Sequence, residues 1–288
     1  MESDLRQLTA NEYPEQLREI PQPPKTLWLR GSLPQAGIKL LAVVGSRALS
    51  RYGREAIDHL IGGLSGYPVS IVSGLALGAD AAAHRAALSA GLHTIAMPGS
   101  GISDGAIAPR TNYGLAHDIL KSGGALLSEY SPETPPATWT FPQRNRLMVG
   151  ISHAVLVIEA GEKSGTLITA RLAGEYNRDL LCVPHRIGDP HGYGANLFLR
   201  LGAGLVSEPA HILEALGMPT EKPADAHAEA PPDLSPHELV LFALLKEPAS
   251  RDDLIRLSDL PAGDALTALV MLELRGLAHE EFGAWRRR

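Results

Sequence analysis

The stretch KLLAVVGSRALSRYG, residues 39–53, decides the fold of the chain. Within it, Leu40–Val44 is a short, continuous apolar run, which is typical of a strand covered on both faces of a sheet. The run leads through Gly45–Arg47 into residues 51–64, which have helical spacing and length. A strand that passes through glycine and serine into a helix leaves free amides at the positive end of the helix dipole. The stretch therefore predicts a strand, an anion-binding turn and a helix.

The same alternation continues to residue 217. The apolar runs are Leu40–Val44, Val69–Val72, Thr94–Met97, Ala125–Leu127, Ala154–Ile158, Leu180–Val183 and Gly204–Val206. Helical patterns separate them, so we expect an α/β fold with an open, mostly parallel sheet. In such sheets ligands bind beyond the carboxyl ends of the strands, where the strand order reverses.

Composition divides the chain into four parts. We expect an N-terminal extension over 1–38, the sheet domain over 39–217, a Pro- and Ala-rich linker over 218–234, and a small domain over 235–288. The last part contains three short helical patterns and a hairpin pattern, which predicts a winged-helix domain. Its third helical pattern carries Glu273 and no Lys or Arg, so a protein-contact or dimer-modulating role is favoured there over binding of duplex DNA.

Charge and composition exclude several classes of protein. The net charge of −6 argues against a general polycation. No apolar run is long enough to span a membrane, and the N-terminus is polar. We therefore expect a cytoplasmic protein without a membrane contact. The single cysteine and the scattered histidines predict neither a disulfide framework nor a metal site. The dinucleotide and P-loop glycine patterns are absent, so neither NAD nor another cofactor is expected.

Four turns hold the residues that are suited to binding phosphate. They are Gly45–Gly53, Ser73–Asp80, Phe141–Arg146 and Glu159–Ala170. Hydroxyls, amides and arginines recur in them, without a nucleophile–base pair or twin carboxylates, so no catalytic residue is predicted. This inventory favours a binding site for a phosphodiester backbone over a reaction centre. Phe141 either stacks on a base or belongs to the core.

These motifs resemble those of the DprA/Smf family. The resemblance rests on Gly45-Ser46-Arg47, on Ser73-Gly74-Leu75-Ala76-x-Gly78-x-Asp80, on Phe141-Pro142-x-Arg144-Asn145-Arg146 and on Ser164-Gly165-Thr166-Leu167-Ile168-Thr169-Ala170. It implies an extended Rossmann-like, doubly wound domain that forms a homodimer. It also implies a non-enzymatic protein that binds and protects incoming single-stranded DNA in natural transformation and loads the RecA recombinase onto it.

The resemblance implies roles for individual residues. Arg47, Arg144 and Arg146 become phosphate ligands, and the Ser164–Thr169 turn holds a further phosphate. Where the family often has Tyr-Pro-x-x-Asn, this chain has Ala108-Pro109-Arg110-Thr111-Asn112, which loses the aromatic side chain and adds an arginine. The full set of candidate DNA-binding residues is Gly45, Ser46, Arg47, Ser50, Tyr52, Gly53, Ser73, Gly74, Arg110, Asn112, Phe141, Arg144, Asn145, Arg146, Lys163, Ser164, Gly165, Thr166 and Thr169.

The alternative hypothesis is a nucleotide-binding or nucleotide-hydrolysing protein. Phosphoribohydrolases of the LOG group resemble this topology, but they carry a catalytic Glu where this chain has Thr169. The two hypotheses differ in one measurable respect. The affinity of a DNA-binding site should rise with oligonucleotide length, whereas a mononucleotide pocket should not respond to length.

Overall fold

The computed structural model describes residues 5–220, 234–245, 249–281 and 284–287. The chain divides into two compact units, Met1–Lys222 and Pro223–Arg288. Apart from its two ends, the linker expected over 218–234 lies outside the described residues. None of the helices in the described ranges is long and apolar enough to cross a membrane.

One sheet organises the larger unit. Its described strands lie in the order β1-β2-β6-β5-β4-β3-β7-β8-β9. The strands from β3 to β9 run parallel, and β1 and β2 are antiparallel additions at one edge. The bounds are β1 Leu5–Gln7, β2 Trp28–Gly31, β3 Lys39–Val44, β4 Val69–Ser73, β5 His93–Ala96, β6 Ala125–Ser128, β7 Ala154–Val157, β8 Asp179–Cys182 and β9 Gly204–Leu205.

Helices cover both faces of this sheet. They are α1 Glu15–Arg18, α2 Arg51–Gly62, α3 Ala79–Ser89, α4 Tyr113–Lys121, α5 Thr140–Ile151, α6 Thr166–Glu175, α7 Tyr193–Arg200 and α8 Pro209–Ala215. Alternate residues of β3 enter different cores, because side chains along a strand point to opposite faces. Leu41 and Val43 join the core that contains α2, α3 and α8, whereas Leu40 and Val44 join the core of α1, α5 and α6. The predicted mostly parallel α/β sheet is thus confirmed.

Part of the segment before β3 joins the sheet, because β1 and β2 extend it at one edge. β2 pairs with β6 along its whole length, from Trp28 opposite Ser128 to Gly31 opposite Ala125. Leu17 and Leu27 are completely buried. Strand pairing and the burial of scattered apolar residues therefore fix this segment, and neither was visible in its polar composition.

The order of the strands places the functional turns. From β3 the chain runs outward through β4, β5 and β6, and it then returns through α5 to β7 on the other side of β3. The strand order reverses between β3 and β7. Because parallel strands end at the same edge, the β3–α2 turn, the β7–α6 turn and the start of α5 meet there.

The smaller unit contains α9 Pro236–Leu244, α10 Arg251–Ser258 and α11 Ala262–Leu274, with β10 Ala249–Ser250, β11 Ala278–Glu281 and β12 Ala284–Arg287. Its strands pair in the order β10-β12-β11, and the predicted winged-helix fold is confirmed. Ser235 and Glu238 cap the first turn of α9 reciprocally, in a capping box. Leu241, Leu269 and Trp285 belong to its buried core.

Candidate functional site

A pocket of about 570 Å³ opens at the edge where the strand order reverses. It brings together turns that are more than a hundred residues apart in sequence. Of the residues predicted to bind DNA, it is lined by Gly45, Ser46, Arg47, Phe141, Arg144, Asn145, Lys163, Ser164, Gly165, Thr166 and Thr169. With Ala76 and Asp80, which also line it, all four predicted turns meet in one cavity.

Arg47 and Phe141 form one wall of this pocket. The Arg47 guanidinium is exposed and lies over the Phe141 ring, 5.0 Å from the ring centroid. The ring is half-buried and lies against Gly99, where an added Cβ would come within 2.5 Å of it. Phe141 therefore supports a cation at the pocket wall, and its ring has contacts in the free protein.

Arg144 lies at the floor of the pocket beside Asp80. Both side chains are buried, and Arg144 donates a hydrogen bond to the carbonyl of Met97. Burial raises the pKa of Asp80, although the neighbouring Arg144 charge opposes this shift. Burial likewise lowers the pKa of Arg144, against the opposing effect of Asp80. The two opposite charges stabilise each other in a place that would be unfavourable for either alone.

The turn from β7 into α6 provides a second cationic wall. Lys163 is exposed, and Ser164 accepts a hydrogen bond from the Thr166 amide at 3.2 Å. The Ser164 hydroxyl also donates to the Thr166 hydroxyl at 2.9 Å. These bonds fix the turn at the beginning of α6, where backbone amides are free to receive an anion.

Glu159 fixes the geometry of the β3–α2 turn from beneath. Its carboxylate is fully buried and accepts hydrogen bonds from the Ser50 amide, at 3.1 Å, and from the Ser50 hydroxyl. At Gly53 an added Cβ would come within 2.5 Å of this carboxylate. Glu159 thus ties the turn after β3 to the strand end of β7.

Several predicted ligands are engaged elsewhere and do not line the pocket. Ser50 and Gly53 contact Glu159, as described. The Tyr52 hydroxyl donates to the carbonyl of Pro184, and the buried Ser73 hydroxyl donates to the carbonyl of Val43. These residues are close in sequence to the turns that line the pocket. They do not line it themselves, because contacts within the fold engage them.

The remaining predicted ligands also have structural contacts. Arg146 forms an ion pair with Glu129 and donates to the carbonyl of Gln22 at 2.6 Å. Arg110 donates to the carbonyl of Asp104 at 2.6 Å and lies over the Tyr113 ring. The buried Asn112 side chain donates to the carbonyls of Leu75 and Ala76, at 2.9 and 3.1 Å.

Gly74 acts through its neighbour and not as a ligand. An added Cβ there would lie 1.8 Å from a guanidinium nitrogen of Arg144 and 2.4 Å from a carboxylate oxygen of Asp80. The glycine leaves the space that the two charged side chains occupy. Asp80 itself lines the pocket and was not among the predicted ligands, although it closes the Ser73–Asp80 motif.

Comparison with known proteins identifies the family. The model for DNA recombination-mediator protein A matches residues 5–217, and that for the DprA winged helix domain matches residues 222–283. The chain belongs to the DprA/Smf family. It is 38% identical to Protein Smf of Escherichia coli over 92% of this chain and 72% of that protein. It is 40% identical to DNA processing protein DprA of Streptococcus pneumoniae over 70% of each chain.

Solved structures of DprA proteins share this architecture. The X-ray structure of DprA from Streptococcus pneumoniae matches with a TM-score of 0.68 and 37% identity, over 73% of this chain and 74% of the other. A structure of DprA from Helicobacter pylori, described for its single-stranded DNA binding mode, matches with a TM-score of 0.64 and 27% identity, over 74% and 95% of the two chains. The resemblance seen in the sequence motifs is confirmed.

Proposed function

We propose that this protein binds the phosphate backbone of single-stranded DNA in the pocket between β3 and β7. The observation that carries the proposal is that two exposed cations, Arg47 and Lys163, line one cavity together with the amides at the start of α6. Membership of the DprA/Smf family supports this ligand, because the structure of DprA from Helicobacter pylori is described for its single-stranded DNA binding mode. Backbone contacts carry little base information, so sequence preference should be slight.

The charges of the pocket favour binding over catalysis. Among the described residues that line it, Asp80 is the acid, and Arg144 stabilises its charge. Thr169 stands where the LOG group carries its catalytic Glu, and it is buried. The described lining offers Asp80 no second carboxylate, histidine or cysteine as a catalytic partner, so the proposed function is that of a DNA-binding protein without turnover.

A titration against oligo-dT of increasing length tests the proposal. Fluorescence anisotropy should show affinity that rises with length and falls with salt, with a slope of about −0.7 per phosphate contacted. Arg47→Ala and Lys163→Ala should each weaken binding by about 1.5–3 kcal/mol, the range for hydrogen bonds to charged groups.

The matched control is Arg200→Ala, an exposed arginine on α7 that should leave affinity unchanged. Saturation by a mononucleotide without any gain from longer strands would contradict the proposal and favour nucleotide binding. Hydrolysis of nucleotides at appreciable turnover would contradict it as well.

We further propose that the protein acts as a homodimer through the sheet unit, protects incoming strands and loads RecA onto them. All three statements rest on the family resemblance. Sedimentation of the free and DNA-bound protein tests the homodimer. For RecA loading, filament growth on strands covered by a single-strand binding protein should be faster with this protein and should return to the basal rate with Arg47→Ala.

A further inference from the structure

Trp139 is an exposed aromatic side chain next to the pocket. Of the three tryptophans, Trp285 is buried and Trp28 is half-buried, whereas Trp139 is 56% exposed. It stands immediately before α5, two residues from Phe141, which lines the pocket. Two residues span at most about 7 Å of chain, so the indole lies within reach of a ligand that leaves the cavity.

The exposed indole is held in place by a second aromatic ring. The Tyr130 ring meets Trp139 edge to face, with the centroids 5.7 Å apart. The Tyr130 hydroxyl donates to the Gln143 side chain at 3.0 Å and to the carbonyl of Thr140 at 3.3 Å. Burial and the Glu129 charge raise the pKa of Tyr130 to about 12, so the hydroxyl remains a donor at neutral pH. Tyr130 therefore fixes Trp139 to the first turn of α5.

This aromatic pair adjoins the segment of α5 that lines the pocket. The Tyr130 hydroxyl donates to the carbonyl of Thr140, the residue before Phe141, and Phe141 lines the pocket. Phe141, the other aromatic residue at the pocket, already carries the Arg47 guanidinium over its ring and Gly99 against it. An incoming base thus finds a more accessible aromatic surface at Trp139.

We propose that Trp139, braced by Tyr130, is a base-stacking site for the nucleotide that leaves the pocket. Its ligand is the flat face of an unpaired nucleobase whose neighbouring phosphates occupy the pocket, so the inference rests on the proposed function. Single-stranded DNA sites combine a cationic groove with aromatic side chains in this way, and stacking tolerates any base. The site therefore adds affinity without adding sequence preference.

Intrinsic fluorescence of the full chain tests the site directly, because stacking on a base quenches an indole. Saturation with oligo-dT should quench part of the emission. Trp139→Phe should abolish that quench and retain affinity, since phenylalanine still stacks. Trp28→Phe is the matched control and should keep the quench, because it removes a half-buried indole and leaves the exposed Trp139 in place.

Affinity provides a second measurement. Trp139→Ala should weaken binding of long oligo-dT on the order of tenfold, within the range for losing one stacked base. The shortest strands that fill the pocket should bind the variant and the unchanged protein alike. Because Trp139 is exposed, the variant should fold, and its thermal unfolding temperature checks this.

The two proposals fail differently. If oligo-dT binds and Arg47→Ala weakens it, but no quench occurs or Trp139→Ala changes nothing, the stacking site is wrong and the phosphate pocket stands. Loss of affinity in Trp139→Ala that is equal at every strand length would also overturn the stacking site. If oligo-dT does not bind the unchanged protein, both proposals are overturned.

Discussion

The substitution Gly74→Ala tests how the floor of the pocket is built. Gly74 does not have a positive φ, so its backbone accepts alanine and the effect is steric. The added Cβ would lie 1.8 Å from a guanidinium nitrogen of Arg144, about half an ordinary contact distance of roughly 3.5 Å. The same methyl would press on Asp80 at 2.4 Å. Arg144 must therefore move away from the carbonyl of Met97 and from the carboxylate.

The expected cost follows from the contacts that are lost. A hydrogen bond from a charged donor contributes about 1.5–3 kcal/mol, and inserting a methyl into a packed site costs typically about 1–3 kcal/mol. The lower entropy of the unfolded alanine chain offsets about 0.4–1 kcal/mol. Gly74→Ala should thus lower the free energy of unfolding by about 2–5 kcal/mol and weaken oligo-dT binding in parallel.

Urea unfolding followed by circular dichroism measures this change. The matched control is Gly174→Ala on α6, where an added Cβ meets nothing within 4 Å. That variant should be more stable by about 0.5–1 kcal/mol, because glycine is a poor helix former. The contrary result is a free energy of unfolding for Gly74→Ala that lies within about 0.5 kcal/mol of that of the unchanged protein, which is less than the cost of one unsatisfied hydrogen bond. That result would show that Arg144 is not held at the floor of the pocket.

Three further predictions concern buried groups. Glu159→Gln should lower stability by about 1–3 kcal/mol in urea titrations, since the Ser50 amide and hydroxyl lose a charged acceptor; an unchanged midpoint would contradict this. Burial raises the pKa of Cys182 to about 12, so iodoacetamide should label this thiol only after unfolding, and rapid labelling of the native protein, seen by mass spectrometry, would argue against it. Burial lowers the pKa of His84 from 6.5 to about 3. The native state then binds fewer protons than the unfolded state between these values, so stability should fall as pH is lowered through this range, by up to about 1.4 kcal/mol per pH unit. His84→Gln should flatten that slope, and an equal slope in both proteins would refute the assignment.

Local pattern predicted most of the sheet. Strands such as β3 and β7 are continuous apolar runs because both of their faces are covered, and such runs are visible without a structure. The turn after β3 was also predictable, since glycine and serine between a strand and a helix leave free amides at the positive end of the helix dipole. β1 and β2 were not predicted, because short edge strands are fixed by pairing with a distant partner and not by their own composition.

The candidate site was predicted in outline and changed in detail. Arg47, Arg144 and Arg146 have the same predicted role as phosphate ligands. In the structure, Arg47 is exposed at the pocket wall, Arg144 is buried beside Asp80, and Arg146 pairs with Glu129. A motif shows which residue types are present, whereas the partner of each charge depends on chain segments that are distant in sequence. Trp139 was missed for the same reason, because the solvent exposure of a single tryptophan cannot be predicted from its neighbours in sequence.

The sequence by itself determined the parallel sheet, the winged-helix unit, the family and the four turns that meet at the pocket. These features follow from short-range patterns of apolar residues, glycines and caps, which act within a few residues of each other. Only the tertiary structure decided which cations remain available to a phosphate and which aromatic face stays open. Burial and pairing are long-range properties, because they depend on which side chains the folded chain brings within a few ångströms of each other.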